Sequence, residues 1–199
     1  MVQMDDKKRK RRRRERDSVH NVQPLRTIQE IEDMKYFLTR YCSARDCFMF
    51  VFGINTGLRV SDIVPLKVKD VRNKKHVMIV ERKTDKTKTF TIPRSLREEI
   101  EEYTRGMDPN DFLFPSRKKG GHISTTQAYR ALVKAGTMMD RDDIGTHTMR
   151  KTFGYMYYKR TKDVAKLQEI FNHSSSKITK RYIGINQDEI DESLEDFSL

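Results

Sequence analysis

Hydrophobic and polar positions change period along the chain, and the changes mark out its elements. Beyond Pro24, Thr27 and Glu30 stand three apart, the spacing of a capping box that opens a helix. Ile28, Ile31, Met34, Phe37 and Leu38 follow at helical spacing and form one apolar face. Residues 44–55 predict a second, more apolar helix that stops at Thr56-Gly57, where glycine permits a left-handed C-terminal turn. Residues 58–66 read as a short helix ended by Pro65. The period then shortens. His76-Val77-Met78-Ile79-Val80 and Thr89-Phe90-Thr91-Ile92 flank the polar stretch Lys83-Thr84-Asp85-Lys86-Thr87, the pattern of a β-hairpin. Helical patterning resumes over 95–105, 125–136 and 148–160, with a short helix starting near Asp163 and another over 177–182. The last stretch, 187–197, is acidic and amphipathic, with Ile190, Leu194 and Phe197 on one stripe. The expected fold is α+β and mainly α-helical, one domain over 27–199 with a small antiparallel β-sheet, preceded by a disordered arm over 1–26.

Composition adds a partner to this outline. Hydrophobic residues make up 36 % of the 199 and charged residues 35 %, enough for a core beneath an ionic surface. The longest apolar run, residues 47–54, is too short to span a bilayer, and no apolar stretch follows the basic N-terminus as a secretory signal would require. Cys42 and Cys47 fit neither a zinc ribbon nor a disulfide framework, and read as reduced thiols of a cytosolic protein. The net charge is +12, of which a local +8 lies in one decapeptide holding Lys7, Lys8, Arg9, Lys10, Arg11, Arg12, Arg13, Arg14 and Arg16 with one acid. Such a block repels itself and buries nothing apolar, so it remains unfolded and seeks a polyanion: nucleic acid first, an anionic membrane surface second.

Four pieces of the chain carry candidate chemistry. Arg59 follows the glycine turn in Thr56-Gly57-Leu58-Arg59-Val60-Ser61-Asp62, at a helix start suited to holding phosphate. His147 and Arg150 stand three apart on one helical face, within reach of a common phosphate. His173 and Tyr182 lie nine apart in a polar, helix-capping stretch, and Lys180-Arg181 put the phenol in a basic setting. Taken singly, each reads as well as a surface arginine, a chance pair, a loop histidine or a packed tyrosine.

Together and in this order, the pieces resemble the tyrosine recombinase (phage integrase) family, over roughly residues 27–196. The resemblance implies the catalytic set Arg59, Lys83, His147, Arg150, His173 and Tyr182. Lys83 is the hairpin lysine in Arg82-Lys83-Thr84-Asp85-Lys86, with Lys86 and Lys88 as rivals because Asp85 replaces the glycine common in that turn. Asn172 stands where the family usually has glycine and Lys151 where it often has a second histidine; neither change removes a catalytic group. Most relatives carry a separate helical DNA-clamping domain before the catalytic one, whereas this sequence reads as a catalytic domain behind its arm.

These residue types suit phosphodiester cleavage. A free tyrosine has a pKa near ~10, so about one in a thousand is ionised at neutral pH. Clustered cations lower the cost of the phenolate, and Arg59 and Arg150 form a clamp on the non-bridging phosphate oxygens. His147 and His173 donate hydrogen bonds or assist proton transfer, and a hairpin lysine protonates the leaving 5′ oxygen. The intermediate implied by the resemblance is a 3′-phosphotyrosyl link, which stores the phosphodiester energy for religation without ATP. No cofactor and no metal ion are expected, since no Asp/Glu cluster has the pattern of a two-metal site. The expected partners are double-stranded DNA and, through the helix over 187–197, further copies of the chain in a dimer or tetramer; no membrane is expected. The expected location is cytoplasmic and DNA-associated, in a bacterium or phage. A type IB topoisomerase, a non-catalytic DNA-binding accessory protein and an RNA-binding protein acting through the arm are the alternative functions.

Overall fold

The computed structural model describes residues 22–80, 87–117 and 120–185, with Leu194, Glu195 and Phe197 beyond them. Helix α1 (Ile28–Tyr41) opens with the expected capping box: the Thr27 hydroxyl accepts the Glu30 N–H at 3.1 Å and the Glu30 carboxylate accepts the Thr27 N–H at 3.0 Å. It lays Ile31, Met34 and Leu38 on α2 (Ala44–Thr56), whose Met49, Phe50 and Phe52 are fully buried. Helix α2 ends at Gly57 with φ 66°, a left-handed turn that a side chain resists. A Cβ there would also stand 2.5 Å from the Phe153 ring, so the turn and the packing both need glycine.

The short helix expected over 58–66 is present as the single turn α3 (Val60–Ile63), and a second turn that the pattern did not announce, α4 (Val68–Val71), follows it. Pro65 supplies no N–H and its ring blocks continuation, so α3 is only four residues long. Strands β1 (His76–Val80) and β2 (Thr87–Thr91) pair antiparallel from His76↔Thr91 to Val80↔Thr87, so β2 starts two residues earlier than its pattern suggests. Helix α5 (Arg94–Tyr103) buries Leu96 and Ile100, and α6 (Thr125–Thr137) packs on α1 behind a Ser124–Gln127 capping box. Helices α7 (Thr146–Thr161), α8 (Val164–Phe171) and α9 (Ser176–Ile183) complete the described body.

Helix α7 joins two cores. Met149 packs with α2 in the main core, while Tyr155 and Tyr158 join Leu167, Phe171 and Ile183 in a smaller cluster with α8 and α9. A helix apolar on two sides has little amphipathic contrast, which explains why periodicity placed its start two residues late, after His147. Residues 22–26, assigned by pattern to the arm, lie against this body: Leu25 is fully buried and its N–H donates to Thr152 Oγ1 at 2.9 Å. One buried leucine makes no periodic signal, hence the difference. The nine arm cations Lys7 to Arg16, the hairpin residues Lys83 and Lys86, and Ile190 of the last stripe lie outside the described residues. Among the described residues, no helix is long and apolar enough to cross a membrane.

Candidate active site

Helix α7 brings His147 and Arg150 to the seam it forms with α9, and Tyr182 is the last residue but one of α9, on the facing side. His147 Nδ1 lies 3.0 Å from the Tyr182 hydroxyl. The phenol ring is walled by aromatic edges, with centroids 5.1 Å from His173, 5.6 Å from Phe171 and 6.3 Å from His147.

Arg150 organises the site from beneath. It is 5 % exposed and donates to the Gly57 carbonyl and, at 3.0 Å, to the Phe171 carbonyl. Gly57 caps α2 two residues before Arg59, and Phe171 ends α8 two residues before His173. The guanidinium also lies 4.1 Å from the Phe171 ring centre and hydrogen-bonds the Tyr182 side chain. Arginine's fixed fork of five donors can serve three directions at once, which a point-charge ammonium cannot. Arg59, at the N-cap of α3, is exposed, and its charge reaches His147, His173 and Tyr182.

The turn that carries His173 is built from capping chemistry. Asn172 closes α8 with φ 53°, a left-handed conformation that asparagine tolerates better than most side chains. That accounts for asparagine where the family pattern has glycine. The fully buried Thr179 hydroxyl lies 3.2 Å from the Ser175 carbonyl, to which it can donate, and 3.1 Å from His173 Nδ1, whose N–H it then accepts.

Charge and burial act together on the titrating groups. Burial, followed by the charges of Arg150 and Arg59, pushes His173 down to about 4. His147 is lowered by burial first, then by Lys151, Arg150 and Arg59. Both rings are therefore neutral at physiological pH, and a neutral His147 can accept the phenol proton. Tyr182 is raised, because burial outweighs the lowering by Arg150 and Arg59. The cations thus oppose the cost of the phenolate, as expected, without cancelling it.

The structure brings Arg59, His147, Arg150, His173 and Tyr182 together; Lys83 and Lys86 lie outside the described residues, and of Lys88 only the strand pairing with Ile79 is described. Sequence reasoning overlooked three features here. Arg150 is a scaffold for both loops, Thr179 orients His173, and Lys151 is 6 % exposed beside Tyr182 with its ammonium 5.3 Å from the ring centre. Lys151 was visible one turn beyond His147, but only burial distinguishes it from a surface lysine. Among the described residues, no group of three or more His, Cys, Asp or Glu is placed to hold a metal ion.

Known proteins resemble this chain in sequence and in fold. Residues 26–189 match the profile of the phage integrase family. A probable integrase/recombinase of Bacillus subtilis strain 168, YoeC, is 51 % identical over 170 residues, covering 85 % of this chain and 93 % of that protein. The tyrosine recombinase XerA of Pyrococcus furiosus is 29 % identical over 159 residues, covering 78 % of this chain but 55 % of its own length. This chain thus spans nearly all of the first relative and about half of the second. Among solved structures, the XerH site-specific recombinase bound to palindromic difH substrate, a post-cleavage complex, superposes with a TM-score of 0.68 at 21 % identity, over 87 % of this chain and 53 % of that one. The XerA recombinase crystal structure does so with 0.68 at 20 % identity, over 87 % and 63 %. At such identity the likeness is one of fold.

Proposed function

The chain belongs to the phage integrase family, and from that premise we propose that it is a site-specific DNA recombinase or integrase, cleaving and rejoining strands through a 3′-phosphotyrosyl bond to Tyr182. The observation that carries this reading is the Tyr182 hydroxyl 3.0 Å from His147 Nδ1, with Arg150 bonded to the same side chain. In this reading the nucleophile, a neutral base and a cation all come from one chain.

In the proposed reaction, the scissile phosphate enters between Arg59 and Arg150, whose guanidinium groups neutralise its non-bridging oxygens as charge builds in the transition state. His147 accepts the phenol proton while the Tyr182 oxygen attacks phosphorus and the 5′ oxygen departs. Lys83, with Lys86 and Lys88 as rivals, protonates the leaving group. His173, held through Nδ1 by Thr179, directs its other ring nitrogen to the phosphate, whose negative charge favours the protonated, donating ring. Religation to another strand reverses these steps. Residues 27–199 form the catalytic domain in this reading, and the arm adds phosphate contacts without base readout. Double-stranded DNA is the substrate, consistent with the XerH–difH complex. Association into dimers or tetramers through the C-terminal segment is supported by Leu194 and Phe197, which are 56 % and 64 % exposed.

A nicked duplex that traps the cleaved end tests the proposal. The wild-type protein should form a covalent protein–DNA band, also in excess EDTA, and Tyr182→Phe should bind DNA but form none. A covalent band that survives in Tyr182→Phe would remove Tyr182 from the mechanism.

A further inference from the structure

Lys151 is a buried ammonium set between the nucleophile and the segment that leads into the domain. Its Nζ donates to the Val22 carbonyl at 2.6 Å, a short hydrogen bond from a charged donor. That acceptor is itself held. The Gln23 N–H donates to the Asp143 carbonyl and the Leu25 N–H to Thr152 Oγ1, each at 2.9 Å, while Leu25 is fully buried. Val22 packs against the start of α7 so closely that a Cβ on Gly145 would stand 3.0 Å from its side chain. The ammonium is thereby fixed 5.3 Å from the centre of the Tyr182 ring, within cation–π range. Lys151 also lies four residues after His147, on the same face of α7.

We propose that Lys151 is a positioning residue for the nucleophile: pinned by the Val22 carbonyl, its ammonium seats the Tyr182 ring against His147 and keeps positive charge beside both partners of the proton transfer. The inference rests on the reading of Tyr182 as the nucleophile. A cation at the ring face stabilises the electron-rich phenolate more than the neutral phenol, so it favours loss of the proton. The same cation opposes protonation of His147, and its charge follows burial among the causes that lower that imidazole. Among the described residues, the other charged and titratable groups facing the pair are Arg150 on α7, Arg59 at the start of α3 and His173 before α9. Burial of Lys151 lowers its own pKa, a cost that the Val22 carbonyl and the phenol ring offset. A lysine serving only to pack would not need its charge.

The full-length protein with Lys151→Met, Lys151→Gln or Lys151→Arg tests this in two ways. In single-turnover cleavage of the nicked duplex, the two neutral variants should form the covalent complex about tenfold more slowly near neutral pH, with DNA affinity unchanged, as expected for loss of a partly desolvated cation–π contact. Their acid limb should move to higher pH, because His147 keeps its proton longer, and Lys151→Arg should recover most of the rate. Without DNA, NMR titration of labelled tyrosine and histidine should show Tyr182 and His147 both titrating at higher pH in the neutral variants, with Tyr182→Phe and His147→Gln assigning the signals. Lys151→Gln decides the matter if Lys151→Met does not fold. Unmoved titrations, or a rate that falls equally at every pH without recovery in Lys151→Arg, would overturn the inference. Absence of covalent product from the wild type would instead count against the proposed recombinase function, and the NMR titrations would still decide the role of Lys151.

Discussion

Changing Arg150 to lysine keeps the charge and removes the fork, which separates the structural role of this residue from its electrostatic one. Arg150 is 5 % exposed and serves two backbone carbonyls, those of Gly57 and Phe171, besides the Tyr182 side chain. Hydrogen bonds from a charged donor contribute about 1.5–3 kcal/mol each. A lysine can satisfy one carbonyl and leaves the other without its donor, so the substitution should cost about 2–3 kcal/mol of folding stability. For a chain of this size, that corresponds to a fall of about 4–12 °C in Tm. Arg59→Lys, at an exposed N-cap, should leave Tm nearly unchanged. Both variants should lose covalent-complex formation by about a hundredfold or more, by analogy with removal of one oxyanion donor. Thermal unfolding followed by circular dichroism, beside the nicked-duplex assay, separates the two. Equal unfolding temperatures for Arg150→Lys and Arg59→Lys would refute the scaffold role.

His173 titrates near 4 in the folded protein against about 6.5 when unfolded, so the unfolded chain binds the extra proton and stability rises with pH across that window. His173→Gln should flatten this rise by about 1–2 kcal/mol once solvent screening of the partly exposed ring is allowed for, which denaturant unfolding at several pH values would measure. Parallel profiles for variant and wild type would contradict the lowered histidine. A substrate whose leaving oxygen is replaced by sulfur departs without protonation and should rescue Lys83→Ala; rescue of Lys86→Ala or Lys88→Ala instead would move the general acid within the hairpin. Deleting residues 1–17 should flatten the slope of log affinity against log salt by roughly 4, if about half of the nine arm cations meet phosphates. An unchanged slope would make the arm a bystander in DNA binding.

Local chemistry was legible from the chain itself. The Thr27–Glu30 capping box, the glycine stop at Gly57 and the β-rich runs around the hairpin act through neighbours a few residues apart, so their residue types suffice to place them. The ordered series Arg59, His147, Arg150, His173 and Tyr182 pointed to the family because these residue types stand together in the family's order. What the chain could not reveal depends on long-range burial. Arg59 and Arg150 read alike as two sides of a clamp, and only burial separates them: Arg59 is exposed, whereas Arg150 also holds the carbonyls of Gly57 and Phe171, 93 and 21 residues away in sequence. The strap at 22–26 and the ammonium of Lys151 meet across 129 residues, with no periodic pattern to announce it. The titration of Tyr182 was likewise decided in three dimensions. The cations around it were visible in the sequence, but the desolvation that outweighs them appears only when α7, α8 and α9 close around the ring.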